Sequence, residues 1–350
     1  MTTAAETDAE IPQGIDGPRV TAWFQEHATV EPPLSFQLIA GGRSNLTYKV
    51  TDSAGNAWVL RRPPLGHVLA TAHDMGREHR VISALADTDV PVPPIVGLCT
   101  DEEVTGAPFY VMDFVDGIVA RDRSAGEQLT PAQRATAGRD ITDVLAAIHA
   151  VDPDAVGLGD LGRKDGYIER QLRRWHSQWQ QSQVRELPLV DEVHDALVAR
   201  VPPQGPAAIV HGDYRLDNCL LGPDGRIAAV LDWELCTLGD PLADVGLLLV
   251  YWTEPGDDHP ALMDAATVLD GFPTRDELVA AYAERSDRDL SAVDYYVAFG
   301  YWKLACILEG VCARYKEGVM GDGDPDVWKL FAAQVELLAQ AARAAVDRLP

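Results

Sequence analysis

Asp213, Asn218 and Asp232 fall in the stretch VHGDYRLDNCLLGPDGRIAAVLDWE, residues 210–234. Transfer of a γ-phosphoryl group needs a carboxylate beside the attacking hydroxyl. It also needs Mg2+ held by an amide oxygen and a second carboxylate, so that the ion bridges phosphate oxygens. Asp213, Asn218 and Asp232 can fill those three roles in that order. Asp213 lies two residues after His211, and Asp232 closes the apolar run 227–231.

The triplet His-Gly-Asp is short and, alone, is as compatible with a turn as with a site. The residues after it carry the weight. Gly222-Pro223-Asp224-Gly225 has the chemistry of a hairpin turn, which returns the chain to Asp232 within one short excursion. Further on, Asp240 and Asp244 in GDPLAD read as helix-capping and fold-stabilising groups, with Asp240 at the N-cap and Pro241 at the first helical position. His211 reads as a side chain that braces its loop.

The elements that must position these groups begin upstream. Residues 1–18 are polar and punctuated by Pro and Gly, which predicts a disordered or loosely attached tail. A helix over 17–27 and strands over 36–39, 46–50 and 57–61 follow, with Ser53-Ala54-Gly55-Asn56 as a turn, so the pattern is an antiparallel meander. On the third strand, alternation places Ala57, Val59 and Arg61 on one face and Trp58, Leu60 and Arg62 on the other. In the next helix Glu78, Ile82 and Leu85 share a stripe. A carboxylate on an apolar stripe needs a partner, so an Arg61–Glu78 ion pair that orients a nucleotide's α/β-phosphates is the expectation, with Arg62 as the alternative phosphate ligand. Residues 90–96 predict a fourth strand and 109–113 a fifth. From Pro131 the chain turns helical, ending in helices at about 291–318 and 325–346.

At 350 residues the chain can bury two moderate cores. Its net charge of −25 carries no offsetting basic stripe beyond Arg170, Arg173 and Arg174, which argues against nucleic acid or an anionic membrane surface as partner. No apolar run approaches about 18 residues, and the first residues are neither basic nor hydrophobic, so the expectation is a cytoplasmic protein without a membrane span. Five cysteines form no C-x-x-C and read as reduced structural thiols. GLGDLG at 157–162 fits a dinucleotide fingerprint but follows a helix end, not a strand, and reads as a loop; a Walker-type G-x-x-x-x-G-K-[ST] is absent from the sequence.

The stretches GGRSNLTYKV, WVLRRPP, REHRVISAL, HGDYRLDN and LDWELCTLGDPLADVG resemble the aminoglycoside phosphotransferase family over roughly residues 30–345, and in particular a subgroup similar to the kinase-like domain fused to some acyl-CoA dehydrogenases. The protein-kinase patterns H-R-D-x-x-x-x-N and D-F-G become His211-Gly212-Asp213-x-x-x-x-Asn218 and Asp232-Trp233-Glu234. The resemblance implies an α+β, bilobal protein-kinase-like fold. Its N-terminal nucleotide-binding lobe, 19–115, would be an antiparallel sheet plus helix, and its catalytic and substrate-binding lobe, 116–350, mostly helical. It also implies an ATP- or GTP-dependent, Mg2+-requiring small-molecule kinase, with Asp213 as base and Asn218 and Asp232 as metal ligands.

By the same resemblance, Gly42, Ser44 and Asn45 would sit in the flap over the nucleotide phosphates. The carbonyl of Asp113 and the amide of Val115 would meet adenine, and Arg215 would face the γ-phosphate. Acceptor candidates are Tyr167, Gln171, Trp175 and Glu309, with Tyr251, Trp252, Arg314 and Tyr315 beside them. Both an aminoglycoside and a hydroxyacyl thioester fit as the hydroxyl-bearing acceptor. The alternative from another class is a catalytically silent, nucleotide-binding regulatory protein, to which Arg61 in place of the usual lysine gives some support.

Overall fold

Alternating strands, two amphipathic helices and a short third helix build the first unit. The computed structural model describes residues 11–40, 45–65, 74–258, 261, 264–318 and 326–349. Helix α1 (Gly17–His27) is followed by strands β1 (Ser35–Ala40), β2 (Leu46–Thr51) and β3 (Ala57–Arg62), then α2 (Met75–Leu85), β4 (Ile95–Cys99), the short α3 (Glu102–Thr105) and β5 (Phe109–Asp113). The five strands form an antiparallel sheet in the order β1-β2-β3-β5-β4. Tyr48, Val50, Leu60, Phe109 and Val111 pack with Val20 and Phe24 of α1 into an apolar core. Asp16 caps α1, accepting the Arg19 N–H at 3.1 Å, and Asp74 caps α2 through the Arg77 N–H at 2.9 Å.

Three expectations need correction here. The fourth strand starts at Ile95, not at residue 90, because Pro91, Pro93 and Pro94 lack the N–H that a ladder needs. Residues 11–18 are not loosely attached, since the Gln13 carbonyl accepts the Tyr48 hydroxyl at 2.6 Å and the Gly14 carbonyl accepts Arg62 Nη1 at 2.5 Å. The division of the chain falls after Asp116, but residues 229–234 belong to the first unit rather than the second. There the Val230 N–H donates to the Pro91 carbonyl at 2.8 Å.

The second unit contains α4 (Arg123–Glu127), α5 (Pro131–Ala150), α6 (Tyr167–Ser182), α7 (Pro188–Val198), β6 (Ala208–Val210) and β7 (Cys219–Leu221). Strand β8 (Ile227–Val230) then carries the chain towards 229–234, and β9 (Thr237–Gly239), α8 (Leu242–Tyr251), α9 (Arg275–Arg285), α10 (Val293–Lys316) and α11 (Val327–Asp347) complete the unit. Thr130 and Gln133 form a capping box at the start of α5, as Thr274 and Glu277 do for α9. Helix α8 is buried almost throughout and crosses α10 closely: a Cβ on Gly246 would lie 2.4 Å from the backbone of Tyr296. Helix α10 is long and apolar enough to cross a membrane by length and composition, which departs from the sequence reading, but 72% of its apolar window is buried inside the protein. It is the central helix of this unit, packed against α6, α7, α8 and α11.

Candidate active site

The loop between β6 and β7 carries Asp213 and Asn218, and its backbone is held from two sides. The Asp244 carboxylate, on α8, accepts the N–H groups of His211 at 2.6 Å and Gly212 at 2.9 Å. Lys303, on α10, donates its ammonium to the Gly212 carbonyl at 3.1 Å. Gly212 adopts φ 87°, and a Cβ there would meet the Leu235 carbonyl at 3.0 Å, so glycine is required between the histidine and the aspartate. His211 is fully buried and accepts the Asp213 N–H at 3.3 Å, the bracing role its position predicts.

Asp244 is supported in turn. His149 Nε2 lies 3.4 Å from its carboxylate, and His149 Nδ1 lies 2.8 Å from the Tyr282 hydroxyl. Burial holds His149 below the usual imidazole range, against the pull of Asp244. Asp240 accepts the Leu242 N–H at 3.1 Å and the Tyr296 hydroxyl at 2.5 Å. Helix α8 therefore starts one residue later than expected, with Pro241 at the N-cap position and Asp240 just before it.

Around Asp213 the donors converge. Asn218 Nδ2 donates to the Asp213 carbonyl at 2.7 Å and to its carboxylate at 3.0 Å. Both partners are acceptors, which fixes the amide with its nitrogen towards Asp213 and its oxygen turned away. Arg215 Nε is 3.8 Å from the Asp213 carboxylate, Arg215 Nη2 is 3.2 Å from Asp217, and the guanidinium lies 4.6 Å from the Tyr251 ring. Burial and the neighbouring Asp213, to which its hydroxyl hydrogen-bonds, hold the Tyr251 phenol well above its usual range. Arg215, Asp217, Tyr251 and Trp252 also line a small pocket on this side of the loop.

In the first unit, Arg61 gathers three carboxylates. Its Nε is 3.1 Å from Glu78, on α2, its Nη2 is 2.5 Å from Asp232 and 4.0 Å from Glu234. Burial, opposed by Arg61, pushes Glu78 up to about 7, with Asp232 and Glu234 adding to the rise. Asp232 adopts φ 63°, the one non-glycine residue with positive φ among the described residues. A left-handed aspartate is a strained placement of the kind that functional sites retain. One guanidinium facing three carboxylates leaves an excess of negative charge, and Mg2+ takes one or two carboxylates completed by phosphate oxygens and water. Asp232 is a hard oxygen donor of that kind, so the carboxylates of the first unit fit the ion. Among the described residues, none of the His, Cys, Asp and Glu groupings makes a protein-only metal cage.

The other expected residues divide. Gly42 and Ser44 lie outside the described residues. Asn45 is buried and donates to Glu234 at 3.2 Å. Asp113 ends β5 opposite Trp58, with its N–H on the Pro94 carbonyl at 2.8 Å, and Val115 follows, half-buried. Arg62 is buried and bonds the carbonyls of Pro63, Gly14 and Thr105 at 3.2, 2.5 and 2.7 Å, which occupies it structurally.

Two acceptor candidates are corrected. Glu309 is fully buried and accepts the Val184 N–H and Arg185 Nη1, each at 2.9 Å, so it ties α10 to the loop after α6. The Tyr167 ring packs so closely on Gly239 that a Cβ there would come within 2.2 Å of it. Gln171 and Trp175 stand differently: the Gln171 side-chain oxygen accepts the Trp175 indole N–H at 2.9 Å, and Lys303 lies 5.8 Å from the indole ring. Lys303 escaped the sequence reading, although a single lysine within the apolar, aromatic run YVAFGYWKLACIL was a signal for it.

A model of the phosphotransferase enzyme family matches residues 35–289. Acyl-CoA dehydrogenase family member 10 of Mus musculus is 34% identical over 317 residues, 89% of this chain and 29% of the relative. Family member 11 of Rattus norvegicus is 34% identical over 305 residues, 85% of this chain and 38% of the relative. This chain thus spans well under half of the relatives it matches. Among solved structures, a candidate aminoglycoside phosphotransferase from Ralstonia eutropha superposes with a TM-score of 0.78 at 35% identity, covering 94% of this chain and 98% of the other. The aminoglycoside phosphotransferase APH(4)-Ia, in a ternary complex with AMP-PNP and hygromycin B, shares the fold with a TM-score of 0.59 at 17% identity, covering 93% and 97%.

Proposed function

The chain belongs to the phosphotransferase enzyme family, and from that premise we propose that it is a Mg2+-dependent small-molecule kinase that transfers the γ-phosphate of ATP or GTP to an acceptor hydroxyl. The observation that carries this reading is the clamped loop, in which Asp213 receives Asn218 Nδ2 while Asp244 and Lys303 fix the backbone beside it. A base works only if it is held where the acceptor proton will be, and two buried charges on this backbone supply that rigidity. Asp213 takes the hydroxyl proton. Arg215, steadied by Asp217 and the Tyr251 ring, faces the phosphoryl oxygens. Arg61, oriented by Glu78, meets the α/β-phosphates, and Asp113 and Val115 offer backbone groups to the base. Asn218 and Asp232 are the residues that would hold Mg2+, which when bound would neutralise phosphate charge. The five buried thiols are free, in keeping with a cytoplasmic setting.

The test is consumption of ATP and GTP by the purified protein with Mg2+, over aminoglycosides, choline-like alcohols, sugars and hydroxyacyl thioesters, beside Asp213→Asn. Turnover with one class, lowered at least about 100-fold in the variant, supports the reading. A second reading, a silent nucleotide-binding regulatory protein, is favoured by the 2.5 Å contact of Arg61 with Asp232, which competes with a metal for that carboxylate. Nucleotide binding with no turnover across the panel would select it.

A further inference from the structure

Lys303 is 7% exposed, and among the described residues its ammonium makes one hydrogen bond, to the Gly212 carbonyl. An ammonium carries three donors, and leaving donors buried without acceptors is costly. Its α10 neighbours Trp302 and Ala305 are buried and uncharged, so the charge serves the loop that carries Asp213 rather than the packing of α10. The group is next to the residue that precedes Asp213, on the side of the Trp175 indole, whose plane is set by Gln171 and whose ring also has Arg174 at 5.0 Å. Two cations therefore flank one indole beside the base, in a chain whose overall charge is strongly negative. Burial depresses the Lys303 ammonium from its usual range, and Asp213 and Asp244 oppose that loss.

We propose that Lys303 is an acceptor-binding residue whose remaining donors take an oxyanion of the acceptor, so that the acceptor is an anionic hydroxy compound rather than a polyamine. This rests on the phosphotransfer reading for the meaning of the site, but not for the existence of an anion subsite. A carboxylate or phosphate close to the reacting hydroxyl would satisfy the buried ammonium, and its charge would be offset by Arg174. The amino groups of a polycationic acceptor would meet Lys303 and Arg174 instead, which repels them.

The sequence has five lysines, Lys49, Lys164, Lys303, Lys316 and Lys329, so lysine-selective 13Cε labelling of the full chain gives a readable spectrum. Lys303→Met identifies its signal, and Lys303→Arg does so by a charge-keeping change should the first variant fail to fold. Malonate and inorganic phosphate are titrated at constant ionic strength, with sodium chloride and kanamycin as comparisons. The inference expects a saturable shift of the Lys303 signal with malonate or phosphate, whichever is stronger naming the anion type, and none with the comparisons. A Lys303 signal unmoved by both anions, or moved equally by chloride, overturns it. In the activity arm, hydroxy acids should exceed diols of the same carbon skeleton in kcat/KM by about tenfold or more, a difference of about 1.4 kcal/mol, and Lys303→Met should erase that preference. A preference that persists in Lys303→Met also overturns the inference. A responsive Lys303 in a protein with no nucleotide turnover would keep the anion subsite and remove the kinase reading instead.

Discussion

Arg61 and Arg62 are adjacent in sequence and opposite in consequence. Arg61 reaches Glu78 and Asp232, whereas Arg62 is committed to three backbone carbonyls on the α1 side of the sheet. Arg61→Ala should weaken nucleotide binding, measured by calorimetric titration, with a smaller effect on folding. Arg62→Met should leave nucleotide affinity nearly unchanged and lower stability to denaturant by about 1–3 kcal/mol. The reverse ranking would move the phosphate role to Arg62. At this scale the Arg61–Glu78 ion pair was legible, because strand alternation and the helix stripe constrain both residues. The role of Glu309 was illegible, because a carboxylate on a helix carries no mark of whether Arg185 waits for it 124 residues away in the chain.

The elements were mostly legible because their punctuation is local. Asp and Thr caps, turn glycines and alternating strands announce α1, β2, β3, β5 and α5 within a residue or so of where they stand. Pro-rich residues 90–94 were the exception, since apolar alternation there competes with missing donors, and the donors decide. The packing between elements was hidden. Gly246 looks like an ordinary glycine in an apolar helix, yet α8 and α10 approach so closely that Gly246→Ala should destabilise the second unit by about 1–3 kcal/mol, read from chemical denaturation. A wild-type-like midpoint would contradict that crossing. The buried Tyr282–His149–Asp244 chain gives a pH dependence. The folded-state pKa of His149 is depressed by burial, so its contribution is fully present above the unfolded imidazole value of about 6.5 and is lost as pH falls from there towards the folded value. Stability should therefore decline on acidification below about pH 6.5, and His149→Gln should flatten that part of the profile.

For the whole molecule, the chain is two units with residues 229–234 returned to the first, a feature that linear reading of domains misses because it depends on where the strand after the hairpin finds its partners. Nucleotide with Mg2+ should raise the unfolding temperature, by an amount equivalent to about 2.7 kcal/mol at a hundred times Kd. Asp232→Ala should remove the Mg2+-dependent part of that rise, and an unchanged rise would cancel the metal role of Asp232. The proposed reaction is phosphoryl transfer to a hydroxyl with Asp213 as base. It is tested most directly by following the γ-phosphate itself, using 31P NMR of ATP or GTP with Mg2+ and each acceptor of the panel, for the wild type and Asp213→Asn. The expected result is a new phosphomonoester signal that appears with one acceptor class, requires Mg2+ and is lost in Asp213→Asn. A phosphomonoester formed at the same rate by Asp213→Asn, or none with any acceptor while nucleotide is bound, would contradict it.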